Sequence, residues 1–167
     1  MIPTRIGRVT LPTFAPIRPH GSSPWNICAK AHYSHAKGWL NLAIVLNLYS
    51  RRVISWVFSN QPNYELIVRA INLAVQLRQP QQPVLFHTDQ GVQYSSDAFR
   101  QALIKHNITA SMSRRGNCLD NAVTERFFRS LKSERVNYKQ YKTRAEGMAD
   151  VADYIEAFYN QNDAIQH

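Results

Sequence analysis

The 167 residues of this chain, 19.2 kDa, are enough for one domain with a sizeable core and too few for two ordinary domains. Hydrophobic residues at 44% and charged residues at 19% exclude a largely disordered, collagenous or coiled-coil protein. No apolar run approaches the roughly 18 residues of a membrane span, and the N-terminus lacks the apolar stretch of a signal peptide. We therefore expect a cytoplasmic protein without a membrane partner.

Positive charge dominates the chain and is concentrated at its start. Twenty Lys and Arg against eleven Asp and Glu give a net charge of +9. The first acidic residue is Glu65, and seven Lys or Arg precede it. This favours a polyanionic partner such as nucleic acid or a membrane surface, although excess Lys and Arg also simply keeps small proteins soluble. Any carboxylate chemistry must come from Glu65 onward.

The first half of the chain contains a predicted hairpin and a predicted helix. Residues 1–24 show no helical or alternating period and are rich in Pro, Gly and Ser, which indicates an irregular segment. WLNLAIVLNLY from Trp39 and VISWVF from Val53 predict two strands joined by a tight basic turn. Apolar residues at helical spacing between Pro62 and Pro80 predict an amphipathic helix.

The second half alternates short strands with helices. The predicted elements are a strand over 83–87, a helix over 96–106 with Phe99, Leu103 and Ile104 inward, a strand over 108–112, a helix opening at Asp120 or Asn121 with Val123, Phe127, Phe128 and Leu131 on its apolar face, and a last helix over 144–159. This order predicts an α/β domain with a mixed sheet flanked by helices.

Two carboxylates are candidates for a catalytic or metal-binding site. Asp89 directly follows a predicted strand, at the end where α/β sheets bind ligands, and Glu125 lies near the start of a predicted helix. Lys132 falls two turns after Glu125 on the same helix face. Together they would hold Mg²⁺ beside a phosphate. The alternatives are a turn residue at Asp89 and a solvated Glu–Lys pair on the helix.

Polar residues between the last strand and this helix are further candidates. Arg114, Arg115 and Asn117 lie in a loop at the end of the domain that carries the acids, where they would contact phosphates or flipped bases, or remain a solvated loop. His87 would either orient Asp89 or complete its strand through a backbone partner.

These residues carry a family resemblance. HTDQGVQYSSDAFRQAL at 87–103 and ITASMSRRGNCLDNAVTERFFRSLKSE at 108–134 closely resemble the catalytic core of bacterial insertion-sequence transposases of the two-overlapping-frame type, relatives of retroviral integrases. The resemblance covers roughly residues 37–160. It implies a ribonuclease-H-like fold and a mechanism in which three carboxylates bind two Mg²⁺ or Mn²⁺ ions and direct attack on a DNA phosphodiester.

The resemblance also implies roles for individual residues and partners. Asp89 corresponds to the second carboxylate, Glu125 to the third, and Lys132 to a basic residue that contacts DNA. Asn47 and Arg51-Arg52 match the family's strand turn, where we expect a structural role. The implied partners are DNA, as element ends and target, and a second copy or a full-length transposase. The implied location is the cytoplasm, on the nucleoid when DNA is bound.

The position of the first carboxylate departs from the family pattern. Counting back about nine residues from Gly38 reaches Ala29, and counting from Trp25 reaches Cys28; neither supplies a carboxylate. The last residues, NDAIQH, also depart. We therefore expect an irregular or frame-altered segment over 1–36, a core over 37–160 and an aberrant tail over 161–167. Weakened metal binding and impaired catalysis follow, and the alternative is a non-catalytic DNA-binding or dimerising fragment.

Overall fold

The computed structural model describes residues 25–35, 38–88, 96–112 and 122–162. Five strands form one sheet in the order β3-β2-β1-β4-β5. Their bounds are β1 Trp25–His35, β2 Gly38–Asn47, β3 Val53–Ser59, β4 Val84–Thr88 and β5 Ile108–Met112. β1 is antiparallel to β2 and parallel to β4, β2 is antiparallel to β3, and β4 is parallel to β5. The predicted mixed sheet is confirmed.

Helices cover both faces of this sheet. They are α1 Tyr64–Arg78, α2 Asp97–Lys105, α3 Ala122–Glu134 and α4 Arg144–Asp153, and α4 continues as a π-helix over Tyr154–Tyr159 and a final α-helical turn, α5, over Asn160–Asn162. A short 3-10 helix, Val136–Tyr138, connects α3 to α4. No helix in the described ranges is long and apolar enough to cross a membrane.

Strand β2 shows why the domain has two apolar layers. Successive side chains of a strand point to opposite faces of the sheet. Ala43 and Val45 therefore pack into one cluster with α1 and α2, whereas the residues that alternate with them, Leu42, Ile44 and Leu46, pack into a second cluster with α3 and the π-helix. The unbroken apolar run that predicted a buried strand is explained, because both faces of β2 are covered.

Helix α1 begins and ends where its sequence predicts. The Asn63 side chain accepts a hydrogen bond from the Leu66 N–H at 3.2 Å and so satisfies one of the free N–H groups of the first turn. Gln79 ends the helix in the left-handed conformation, with φ 42°. Its N–H donates to the Val75 carbonyl. Pro80 follows and cannot continue the helix.

The Asn160 side chain joins α5 to the sheet. Its Oδ1 accepts from the Val53 N–H at 2.9 Å, and its Nδ2 donates to the Val53 carbonyl at 3.0 Å. Both bonds are buried and join residues 107 positions apart. β3 is an edge strand, and the Asn160 amide takes the place that a further strand's peptide group would occupy.

Strand β1 is the main difference from the sequence prediction. The irregular segment expected over 1–36 is wrong for 25–35, which pair with β2 on one side and β4 on the other. WNICAKAHYSH has little apolar periodicity, and its strand conformation comes from pairing with the following strand β2 on one side and with the distant strand β4 on the other. Residues 1–24 lie outside the described part.

Helix α2 corrects a smaller prediction. Phe99 and Leu103 are buried as expected, but Ile104 is 71% exposed. At about 100° per residue, Ile104 is turned well away from the face that Phe99, Ala102 and Leu103 present to the core. A helix of nine residues packed on one side has room for only this narrow apolar stripe.

Candidate active site

The carboxyl end of β4 leads directly to Asp89. Phe86 and Thr88 are buried on β4, so the strand is held firmly up to its last residue. Asp89 itself lies outside the described residues, as do Arg114, Arg115 and Asn117. The expected role of these four residues stays a prediction.

Glu125 lies in the first turn of α3 with its side chain exposed. The opposite face of the helix, Phe127, Phe128 and Leu131, is buried in the second apolar cluster. α3 also contacts β1, the strand that lies between β2 and β4. This is the packing that an approach of Glu125 to Asp89 requires.

The exposed face of α3 is basic around Glu125. Arg129 and Lys132 follow Glu125 by four and seven residues, which turns them by about 40° and 20° from it. Arg126 lies at the edge of the same face, and all four side chains are exposed. Lys132 was predicted from the sequence and Arg126 and Arg129 were not, although Arg129 follows Glu125 at the spacing of one helical turn.

Thr124, next to Glu125, is fully buried and its hydroxyl has no hydrogen-bond partner in the described part of the chain. A buried hydroxyl without a partner is costly, because its hydrogen bonds to water are lost. Thr124 is the one polar residue among the four that α3 buries; the other three are Phe127, Phe128 and Leu131.

His87 has a partner on the neighbouring strand. Its Nδ1 lies 3.4 Å from the Ser111 Oγ, and the two residues are register partners between β4 and β5. This partner is a side-chain hydroxyl and not the backbone group considered from the sequence, so the structural role of His87 stays a prediction. A role in orienting Asp89 also stays a prediction. Within the described ranges, no group of three or more His, Cys, Asp or Glu is arranged to hold a metal ion.

An ion cluster beyond the site joins α3 to α4. Asp150 accepts hydrogen bonds from Lys139 and from the Tyr141 hydroxyl, the latter at 2.7 Å, and Arg135 lies 3.7 Å away. Burial alone would raise the pKa of Asp150, but these hydrogen bonds and positive charges outweigh it and lower the pKa. Burial and the bond to Asp150 raise the pKa of Tyr141. The cluster is structural.

The strand order β3-β2-β1-β4-β5 and the helices on both faces of the sheet define a ribonuclease-H-like fold. A family model described as Integrase core domain matches residues 24–118, more than half of the chain, and a second Integrase core domain model matches 125–164. The chain therefore belongs to the integrase core domain family.

Curated relatives are transposases. The chain is 41% identical over 125 residues to Transposase InsF for insertion sequence IS3A of Escherichia coli (strain K12), covering 75% of this chain and 43% of that protein. It is 36% identical to the Transposase for insertion sequence element IS904 of Lactococcus lactis subsp. lactis (strain IL1403), covering 74% and 49%. The chain thus spans less than half the length of these relatives.

Solved structures share the fold at low sequence identity. The catalytic domain of Mos1 mariner transposase matches with a TM-score of 0.67 at 14% identity, covering 86% of this chain and 76% of that one. The HTLV-2 integrase catalytic core domain, solved in complex with magnesium, matches with a TM-score of 0.53 at 19% identity, covering 67% and 68%. The predicted ribonuclease-H-like fold is confirmed.

Proposed function

We propose that this chain is the catalytic-core segment of an insertion-sequence transposase, acting on DNA phosphodiester bonds, with its chemistry impaired by a missing carboxylate. The observation that carries the proposal is the packing of α3 on β1. It brings the helix that bears Glu125 beside the strand next to β4, whose last residue precedes Asp89. Because the chain belongs to the integrase core domain family, we interpret this packing as part of a catalytic site that includes Asp89 and Glu125.

The donors that fit a metal ion are Asp89 and Glu125. Carboxylate oxygens are the ligands that Mg²⁺ and Mn²⁺ prefer, and two of them with water would complete one site. A bound ion of this kind activates an attacking oxygen and stabilises charge on the phosphate. The related HTLV-2 integrase core in complex with magnesium and Mos1 catalytic domain with Mg support this metal class.

The donor set does not fit a second ion. β1 is the strand beside β4, and none of its 11 residues is acidic. In the two-ion mechanism that the family resemblance implies, the first carboxylate would bind both ions. Because β1 offers no carboxylate, the second ion would lack this ligand. We expect DNA strand cleavage and transfer to be lowered by orders of magnitude, because losing a catalytic group commonly costs this much.

The register of β1 supports Cys28 as the substituted position in this proposal. Trp25 pairs with Phe86 and Asn26 with His87, an offset of 61 positions, and Asp89 follows Cys28 by the same 61 positions in the sequence. β1 also advances three residues from Ala29 to His32 while β2 advances two, which is a bulge of one extra residue. Counting back from Gly38 crosses this bulge, and a count that allows for the extra residue reaches Cys28, which supports Cys28 over Ala29 in this proposal.

DNA binding in this proposal does not depend on the metal. Arg126, Arg129 and Lys132 on the exposed face of α3 would contact phosphates close to Glu125, with Arg114, Arg115 and Asn117 from the neighbouring loop. The proposed partners are DNA ends, target DNA, and a second copy or a full-length transposase.

A pair of aspartate variants tests the proposal. Cys28→Asp should restore Mg²⁺- or Mn²⁺-dependent nicking of duplex DNA, and Ala29→Asp should not, because neighbouring positions of a strand serve opposite faces of a sheet. Glu125→Gln in the Cys28→Asp background should abolish the recovered activity while leaving DNA binding intact. Robust metal-dependent nicking by the unmodified chain would show that the missing carboxylate is not limiting.

The second candidate is a fragment that binds DNA or a transposase copy without cutting. The acid-free β1 strand favours it. Its signature is DNA binding in EDTA, combined with no nicking by the unmodified chain or by either aspartate variant.

A further inference from the structure

The turn between β2 and β3 is rigid and strained. Asn47 Oδ1 accepts hydrogen bonds from the N–H groups of Tyr49 and Ser50, each at 2.9 Å, and the Asn47 N–H donates to the Arg52 carbonyl at 2.9 Å. Arg51 has φ 54°, a left-handed conformation that Gly or Asn adopts with less strain. The protein therefore has an arginine at a position where Gly or Asn would fit the backbone conformation with less strain.

Tyr49, Arg51 and Arg52 lie in this turn, and a third arginine, Arg78, lies near Arg52. Tyr49 is 81% exposed, the second highest exposure among the large apolar and aromatic side chains of the described part. Arg78, in the last turn of α1, lies close enough to Arg52 for the two charges to interact; burial and then this like charge lower the pKa of Arg78. We call Tyr49, Arg51, Arg52 and Arg78 the basic turn.

The basic turn is separate from the proposed catalytic end. Asn47, Trp25 and Phe86 are level across the sheet, and β4 runs parallel to β1 toward Thr88. The chain beyond Asn47 therefore continues away from the carboxyl end of β4. A ligand on the basic turn would be a second one, and not the DNA bound beside Glu125.

The side chains of the basic turn favour a ligand that carries phosphate groups. Guanidinium groups donate paired hydrogen bonds to phosphate oxygens, and an exposed tyrosine ring stacks on bases or packs on sugars. Strain retained in a turn is typical of functional positions.

We propose that the basic turn is a second nucleic-acid contact surface, in which Arg51, Arg52 and Arg78 bind backbone phosphates of a DNA duplex and Tyr49 packs against its sugars or bases. It goes beyond the proposed function, because it needs neither the metal ligands nor the basic face of α3.

The test is duplex binding by the 167-residue chain in EDTA, measured by fluorescence anisotropy with a 30-base-pair duplex over a series of salt concentrations. The double variant Tyr49→Ala, Arg51→Asn removes the ring and one charge while placing Asn where φ is positive. We expect its affinity to fall about tenfold at 100 mM salt, and the slope of log K against log salt to fall by about one. The matched control is Arg69→Gln, an exposed arginine on α1, which removes the same charge elsewhere.

A loss in the double variant equal to that of Arg69→Gln would overturn the proposal, since net charge alone would then explain it. Tighter binding of the unmodified chain to phosphatidylserine vesicles than to the duplex, lost in the double variant, would also overturn it in favour of a membrane surface.

If the double variant fails to fold, amide hydrogen exchange of the unmodified chain decides. Duplex addition should slow exchange over 49–52, and unchanged exchange there refutes the proposal. Because these measurements are made in EDTA, absence of nicking leaves them unaffected.

Discussion

Asn160→Ala removes the side chain that attaches the C-terminal helix to the edge of the sheet. The substitution leaves the Val53 N–H and carbonyl, both buried beneath Asn160, without their partners. A typical hydrogen bond contributes about 1 kcal/mol, and a buried group left unpaired costs about 1–3 kcal/mol. We therefore expect the free energy of unfolding to fall by about 2–4 kcal/mol, since water reaches an edge strand more easily than a central one.

The assay is urea unfolding followed by tryptophan fluorescence and circular dichroism. The midpoint should move to lower urea with an unchanged slope, and the melting temperature should fall by about 5–15 °C for a domain of this size. Gln161→Ala, at the exposed neighbouring residue, is the matched control and should change stability by less than about 0.5 kcal/mol.

Asn160→Asp separates the two bonds. The carboxylate can still accept from the Val53 N–H but faces the Val53 carbonyl without a hydrogen to donate. It should destabilise the protein at neutral pH and recover part of the loss where the aspartate becomes protonated. If Asn160→Ala loses no more stability than Gln161→Ala, the amide does not hold the helix to the sheet and the reasoning fails.

Three further predictions follow from burial, charge and exposure. Phe127→Ala should cost about 3–5 kcal/mol in urea unfolding, because Phe127 is fully buried against three aromatic rings; Tyr138→Ala, at an 82% exposed ring, should cost less than about 0.5 kcal/mol. Because folding lowers the pKa of Asp150, its contribution to stability is complete above the unfolded value and is lost as the pH falls through the lowered pKa. Asp150→Asn should therefore flatten the loss of stability measured below about pH 4, and an unchanged acid profile would contradict this. Arg129→Gln should weaken duplex binding and reduce its salt slope by about one, whereas Arg100→Gln on α2 should leave the slope within error.

Elements with strong local patterns were predictable from the sequence. α1 is an example, because Asn63 caps its start, Pro80 follows its end and its apolar residues recur at the helical period. The spacing of Asp89 and Glu125 identified the candidate acids, since a carboxylate at a strand end and another at a helix start are visible without coordinates.

Interactions between distant segments were decided only by the tertiary structure. β1 was missed because its residues carry no clear period and are held by pairing to β2 and β4. The bulge after Ala29, which shifts the position of the first carboxylate to Cys28 in our proposal, appears only in the register of two strands. The bonds between Asn160 and Val53 likewise join segments 107 residues apart. Local sequence determines backbone preference and apolar period, whereas strand order, register and side-chain partners depend on which distant surfaces meet when the core is buried.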